Sequence, residues 1–134
     1  MGKLVFVDSS ALIAKYVATD KYHHAAKKSM KSLLRDGHHL VMTDYIFDEV
    51  ITRVRYDLGH PQAVLVGESM IASRVLHLIE VKEHIRRKAW ILFKKYKDQN
   101  LSFTDTTCIA MMKEHRIDKI FTFDKDFQKV GFVL

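Results

Sequence analysis

The sequence predicts an α/β fold, a mostly parallel sheet covered by helices on both faces. Two observations carry the prediction. Short apolar runs alternate along the chain with longer segments of helical period, most of them marked by a cap or a breaker. Two of the apolar runs, "KLVFVD" and "KIFTFD", end on a bare aspartate. A parallel sheet gives that device a purpose, because ligands of such sheets bind beyond the carboxyl ends of the strands.

The first strand is expected over 3–7, a continuous apolar run of buried type. Ser9 or Ser10 then caps a helix over 10–18. Asp20 is the expected cap of a second helix, 21–36, stopped by Gly37. "HLVM" (39–42) reads as the second strand, and Thr43 caps a helix over 44–58 that ends at Gly59. Pro61 opens the next helix, 61–75, as proline does in a first helical turn. A third strand is expected over 76–81, followed by a basic helix over 83–97. Ser102 starts a helix over 103–115, "KIFTF" (119–123) is a strand, and "GFVL" (131–134) a last short one.

The 134 residues, 48% hydrophobic, suit one domain with a substantial core, residues 1–134. No apolar stretch approaches the roughly 20 residues that span a bilayer. The apolar start is broken by Asp8 too soon for a signal peptide. A single cysteine, Cys108, excludes an internal disulfide and fits a reducing cytoplasm. A net charge of +6 favours a polyanionic partner, although lysine-rich surfaces also serve solubility alone. Eight histidines show no zinc-type spacing, and no glycine-rich nucleotide loop is present in the sequence.

Four acids are expected at one edge. Asp8 and Asp124 end strands, Glu49 lies early in the helix after the second strand, and Asp105 sits in the first turn of the helix before "KIFTF". Each has a simpler reading. Asp8 could be a helix-entry residue, and Asp105 completes a capping box with Ser102. Glu49 could pair with Arg53 on a solvated face. Asp48 competes with Glu49, and helical periodicity does not separate them. Asp124 could belong to an ordinary turn, with Asp126 just beyond it. Together the acids require either that some of them protonate or that a cation offsets their charge. Two carboxylates about 5 Å apart at an effective dielectric near 20 repel by about 3 kcal/mol. Oxygen ligands suit Mg²⁺ or Mn²⁺, which keep water and reach substrate phosphate, the components of phosphodiester hydrolysis.

"VFVDSSALI", the acid of "FDEV", "LSFTDTTCIA" and "IFTFDKDF" resemble, in order and spacing, the four signature blocks of PIN domains. The match is closest to the small ribonuclease toxins of VapC type and covers nearly the whole chain. The resemblance implies a three-layer α/β/α sandwich, a metal-dependent endoribonuclease, frequent homodimers and a cognate antitoxin. Position by position it assigns Asp8, Glu49 rather than Asp48, Asp105 with its preceding Ser102, and Asp124 in the pattern threonine-x-aspartate. Asp126 falls where the family varies. Ser10 matches the small polar residue after the first acid and is a candidate for substrate binding. The reaction so implied is in-line attack of an activated water on an RNA phosphodiester. Asp8 and Asp105 would be the main metal ligands, with Glu49 and Asp124 completing the site directly or through water.

Arg53 could contact phosphate, though an ion pair with a site acid is the preferred reading. Lys27, Lys28, Lys31 and Arg35, and the run Arg86, Arg87, Lys88, Lys94, Lys95 and Lys97, could draw RNA to the cleft or simply form solvated faces. Trp90, Phe93 and Tyr96 recur at helical spacing and are expected in the core. The hairpin around "LGHP" carries Val64, Leu65, Val66, Met70 and Ile71, more apolar residues than one helix stripe needs, which suggests a contact surface. Three rivals stand beside the ribonuclease: a non-catalytic RNA-binding or assembly module, a carboxylate-metal nuclease acting on DNA, and a phosphoacceptor receiver domain. The receiver would need an acid pair after the first strand, where this chain has Asp-Ser-Ser.

Overall fold

The computed structural model describes residues 3–131. Four strands, β1 (Leu4–Val7), β2 (His39–Thr43), β3 (Leu76–Ile79) and β4 (Ile120–Phe121), form one sheet in the order β3-β2-β1-β4. Every pairing is parallel. Val5, Phe6 and Val7 of β1 are buried in succession, as are Leu40 to Thr43 of β2. Neighbouring strand residues point to opposite faces, so unbroken burial means that helices cover both sides. The expected sandwich is therefore present.

The helices are α1 (Ser9–Tyr16), α2 (His23–Arg35), α3 (Asp44–Leu58), α4 (His60–Ala72), α5 (Glu83–Lys95) and α6 (Phe103–Glu114), with a closing 3₁₀ segment at Lys125–Val130. The Thr43 hydroxyl accepts from the Ile46 amide at 3.2 Å and starts α3. Gly59, at φ 96°, ends it in a conformation that a side chain would strain. At Gly67 an added Cβ would stand 3.1 Å from Ile51 Cδ1, so glycine lets α4 lie close on α3.

Several expected boundaries move. Asp20 does not cap α2; its carboxylate accepts from the Tyr22 amide at 2.8 Å, making a local turn before a helix that begins at His23. The strand expected over 119–123 is paired only at Ile120–Phe121, because the hydroxyl of Thr122 and the amide of Phe123 turn to side-chain partners. The third strand stops at Ile79, and the helix expected over 61–75 ends at Ala72. The strand expected over 131–134 lies outside the described residues beyond Gly131. Trp90 and Phe93 are not core: they are 52% and 38% exposed, and α5 buries Ile85 and Ala89 instead. Half-buried Leu92 and Tyr96 continue that inner stripe and pack against the core, so Trp90 and Phe93 fall on the outer side.

Helix α6 is buried almost along its length, from Asp105 to Met112. A helix apolar on all sides sits within a core. Its threonines are accommodated by bonding back to the preceding turn, Thr106 to the Phe103 carbonyl at 2.7 Å and Thr107 to that of Thr104 at 2.6 Å. Cys108 is fully buried there, and burial pushes its thiol well above the usual range, which marks it as packing rather than a nucleophile.

Candidate active site

The strand order places β1 between β2 and β4. The chain winds outward from β1 through β2 to β3, then returns to the other side of β1. The carboxyl ends of β1 and β4 thus bound the crevice where the winding reverses, the position at which open α/β sheets bind ligands. The Asp8 amide donates to the Phe121 carbonyl at 3.0 Å, locking the two strand ends together.

Asp8 is 2% exposed. Its Oδ2 accepts from the Ser10 hydroxyl at 2.9 Å and from the Thr122 hydroxyl at 2.8 Å. Those two hydroxyls are themselves pinned, since the Phe123 amide donates to Ser10 Oγ at 3.0 Å and the Asp124 amide to Thr122 Oγ1 at 2.9 Å. One carboxylate oxygen is thereby held from behind. The other, Oδ1, has only a 3.5 Å contact from Ser9. The Ser9 hydroxyl also bonds to the Glu49 carboxylate.

Asp105 both caps and faces the site. Its Oδ2 accepts from the Ser102 amide at 2.9 Å while the Ser102 hydroxyl accepts from the Asp105 amide at 3.0 Å. The capping box anticipated from S-x-x-D is formed, and it fixes the carboxylate rather than competing with a site role. Asp124 caps the 3₁₀ segment through a 2.9 Å bond from the Asp126 amide. Asp126 itself pairs with Lys129 at 3.3 Å.

Electrostatics tie the four acids together. Burial raises the Asp8 carboxyl above its ordinary value, against the lowering by the Thr122 and Ser10 hydroxyls, and the Glu49 charge raises it further. Burial is also the largest cause for Asp105, which with help from the charges of Asp8 and Asp124 is pushed up to about 7. Among the described residues no lysine, arginine or histidine pairs with any of the four. Among the described residues the acids therefore act on one another without a basic side chain paired to any of them.

They do not form a closed cage. Among the described residues, no three His, Cys, Asp or Glu side chains converge closely enough to hold one ion. This suits a magnesium-like ion, which uses one or two carboxylates and keeps water on the rest of its shell. The donor set is all oxygen, and carboxyl groups raised by burial and by one another are of the kind such an ion would stabilise in the charged form.

The structure separates Asp48 from Glu49, which periodicity did not. Asp48 is exposed, whereas Glu49 is half-buried and bound to Ser9. Arg53 departs from expectation: its guanidinium pairs with Asp57 at 3.1 Å, one turn on, rather than with a site acid. It still lines a groove with Glu49, Thr52, Tyr56 and Thr104. Ser10 is placed behind Asp8, its hydroxyl already committed. Two functional partners were not singled out from sequence. Ser9 sat in plain view in Asp-Ser-Ser, and Thr122 appeared only as part of threonine-x-aspartate. Replacing Thr122 by valine removes a bond to Asp8 and leaves the Asp124 amide without its acceptor. We expect RNA cleavage to fall about 10–100-fold in initial-rate assays, the usual effect of losing a group that orients a ligand, and the melting temperature to drop by about 3–10 °C for the amide left unpaired.

The PIN domain family model matches residues 5–133. The chain belongs to the PIN domain family. Among curated PIN relatives, the ribonuclease VapC6 of Methanocaldococcus jannaschii is 27% identical, over 96% of this chain and 94% of its own length. The 23S rRNA-specific endonuclease VapC20 of Mycobacterium tuberculosis is 29% identical, over 97% and 96%. The crystal structure of VapC20, described as a sarcin-ricin loop cleaving toxin, superposes with a TM-score of 0.88 over 96% of both chains at 27% identity. A toxin-antitoxin complex from Klebsiella pneumoniae shares the PIN fold at a TM-score of 0.68, covering 97% of this chain and 95% of that one, with 16% identity.

Proposed function

We propose that this PIN domain is an endoribonuclease of VapC type that hydrolyses RNA phosphodiester bonds with Mg²⁺ or Mn²⁺, as the toxin of a toxin-antitoxin pair. The observation that carries the reading is the set of four acids at the reversal point of the sheet, with no basic side chain paired to them among the described residues. Similarity to VapC6 and VapC20 over nearly the full length of each supports it.

Asp8 and Asp105 would hold the ion, with Glu49 and Asp124 completing the site directly or through water. A divalent ion bound there supplies Lewis acidity toward a phosphoryl oxygen and neutralises charge as the phosphodiester is attacked. The chain's own residues do the positioning. Ser10 and Thr122 fix the orientation of Asp8, and Ser102 fixes Asp105. Ser9 holds Glu49 at the mouth, where its carboxylate can orient the attacking water or take its proton. The Ser10 hydroxyl is committed to Asp8 and to the Phe123 amide. Arg53 lies on the rim and meets phosphate once it leaves Asp57.

The test is cleavage of RNA by the purified chain with and without divalent metal. The sarcin-ricin loop is the first RNA to offer, given the likeness to VapC20, beside an unrelated RNA and a DNA of the same sequence. Magnesium-dependent cuts in RNA are expected, abolished by chelation. Intact RNA under all metals would defeat the reading, and DNA cut in preference would move it to the rival nuclease.

The α3–α4 hairpin exposes Leu65 (61%) and Ile71 (69%), while Val66 and Met70 face the core. Such apolar residues are candidates for contact with an antitoxin or a second copy. Cytoplasmic action follows from the proposed substrate, and no helix among the described residues is long and apolar enough to cross a membrane.

A further inference from the structure

The outer face of α5 carries a feature that neither the core nor the acid edge uses. Trp90 and Phe93, 52% and 38% exposed, stack with ring centroids 5.6 Å apart and planes at 15°. Phe103 meets both edge-on, at 6.3 Å and 6.2 Å. Phe103 opens α6 two residues before Asp105, and behind it, at 6.3 Å, lies Tyr45 in the first turn of the helix that carries Glu49. The aromatic cluster thus runs from open solvent to the first turns of two acid-bearing helices.

Its surroundings are basic. Helix α5, "EHIRRKAWILFKK", holds five lysines and arginines against one carboxylate. Arg87 is tied to Glu83 and Lys88 to Glu114. Lys94 and Lys97 make no ion pair among the described residues, and they line one depression together with Trp90, Phe93, Tyr96 and Gln99. An indole left half in water forgoes favourable burial, so this face calls for an occupant. A second copy of the chain is a poor one, because a two-fold contact would set this cationic helix against itself. An unpaired stretch of RNA fits both properties: each base offers a π face to the stacked rings, and its phosphates meet free lysines.

We propose that Trp90 and Phe93 form a stacking platform for unpaired RNA bases flanking the scissile phosphate, with Lys94 and Lys97 holding the adjoining phosphates. The proposal rests on the ribonuclease reading for the placement of the scissile bond, but its binding step can be measured apart from cleavage. Trp90 is the single tryptophan, so its emission reports on the platform directly.

The experiment titrates a short single-stranded RNA into the full chain carrying Asp8→Asn, following tryptophan fluorescence. It is repeated with the same RNA made abasic at successive positions, and with the Trp90→Ala, Trp90→Phe and Phe93→Ala variants read by anisotropy of labelled RNA. Quenching by intact RNA is expected, with about fivefold or greater loss of affinity on removing one base or on either alanine substitution. Trp90→Phe, which keeps a ring, should bind within about twofold of the parent. Equal affinity for intact and abasic RNA would overturn the platform, as would tryptophan emission that shifts with protein concentration before RNA is added, which would assign the face to a second copy. Unimpaired RNA binding and cleavage in Trp90→Ala and Phe93→Ala would also overturn it while leaving the ribonuclease intact. Base-dependent quenching with no cleavage by the unsubstituted chain would uphold the platform and remove the nuclease.

Discussion

Asp8→Asn is expected to reduce RNA cleavage by at least about a hundredfold to a thousandfold. The substitution keeps the shape of the side chain and an oxygen for the Ser10 and Thr122 hydroxyls, so the knot joining β1 to β4 survives. What it removes is a negative charge at the bottom of the cleft, where the proposed ion binds. Losing one of the two proposed ligands would remove several kcal/mol of charge stabilisation, and each 1.36 kcal/mol is a factor of ten in rate. The variant should melt no lower than the parent, because a buried carboxyl already raised by burial gains from becoming neutral. The measurement is initial cleavage rate in magnesium beside a thermal melt. Full activity in a folded Asp8→Asn protein would remove Asp8 from the mechanism.

Without divalent metal, stability should fall as pH rises from about 4 to about 7, and Asp105→Asn should flatten that fall. The ordinary carboxyl value is 3.8, and in the folded chain Asp105 is pushed up to about 7. Between these values the native state keeps a proton that the unfolded chain has released. Stability therefore drops with rising pH across that window and levels off above it. After allowance for solvent screening at the cleft, the effect of Asp105 is about 1–3 kcal/mol, which corresponds to about 3–10 °C in melting temperature for a domain of this size. Asparagine still offers an oxygen to the Ser102 amide, so the cap of α6 is kept. The variant should thus melt higher than the parent at pH 8 and near it at pH 4.5, with the raised Asp8 leaving a residual slope. Magnesium should raise the parent's melting temperature at pH 8 and move the variant's less, because the ion binds the folded state through the charge that asparagine lacks. A parent whose melting temperature is flat from pH 4.5 to 8 would show that Asp105 is not under this strain.

Legibility differed by residue type. Strands β1 and β2 could be read from their apolar runs because both of their faces are covered. β4 was overextended because "TF" after "KIF" looks equally strand-like, while in space the Thr122 hydroxyl turns to Asp8. Asp105 was ambiguous between cap and site residue; in the structure it completes the cap of α6 while burial and the charges of Asp8 and Asp124 raise its carboxyl. Trp90 and Phe93 were misplaced for a related reason. Helical spacing says that residues share a face, not whether that face meets core or water, and α5 is seated by Ile85 and Ala89 instead.

The sequence by itself determined the α/β class, the cap at Thr43 and the glycine stop at position 59, because each depends on local periodicity or on a residue's own chemistry. Tertiary structure alone decided that Arg53 belongs to Asp57 and that Ser9, Ser10 and Thr122 clasp two of the acids, and it turned inward the Glu49 that the resemblance had preferred to Asp48. Those choices depend on which residues distant in the chain come within hydrogen-bonding reach, as Thr122 does of Asp8. They depend also on how far burial and neighbouring charge shift a carboxyl, and both are set by the packed sheet edge rather than by any local stretch of chain.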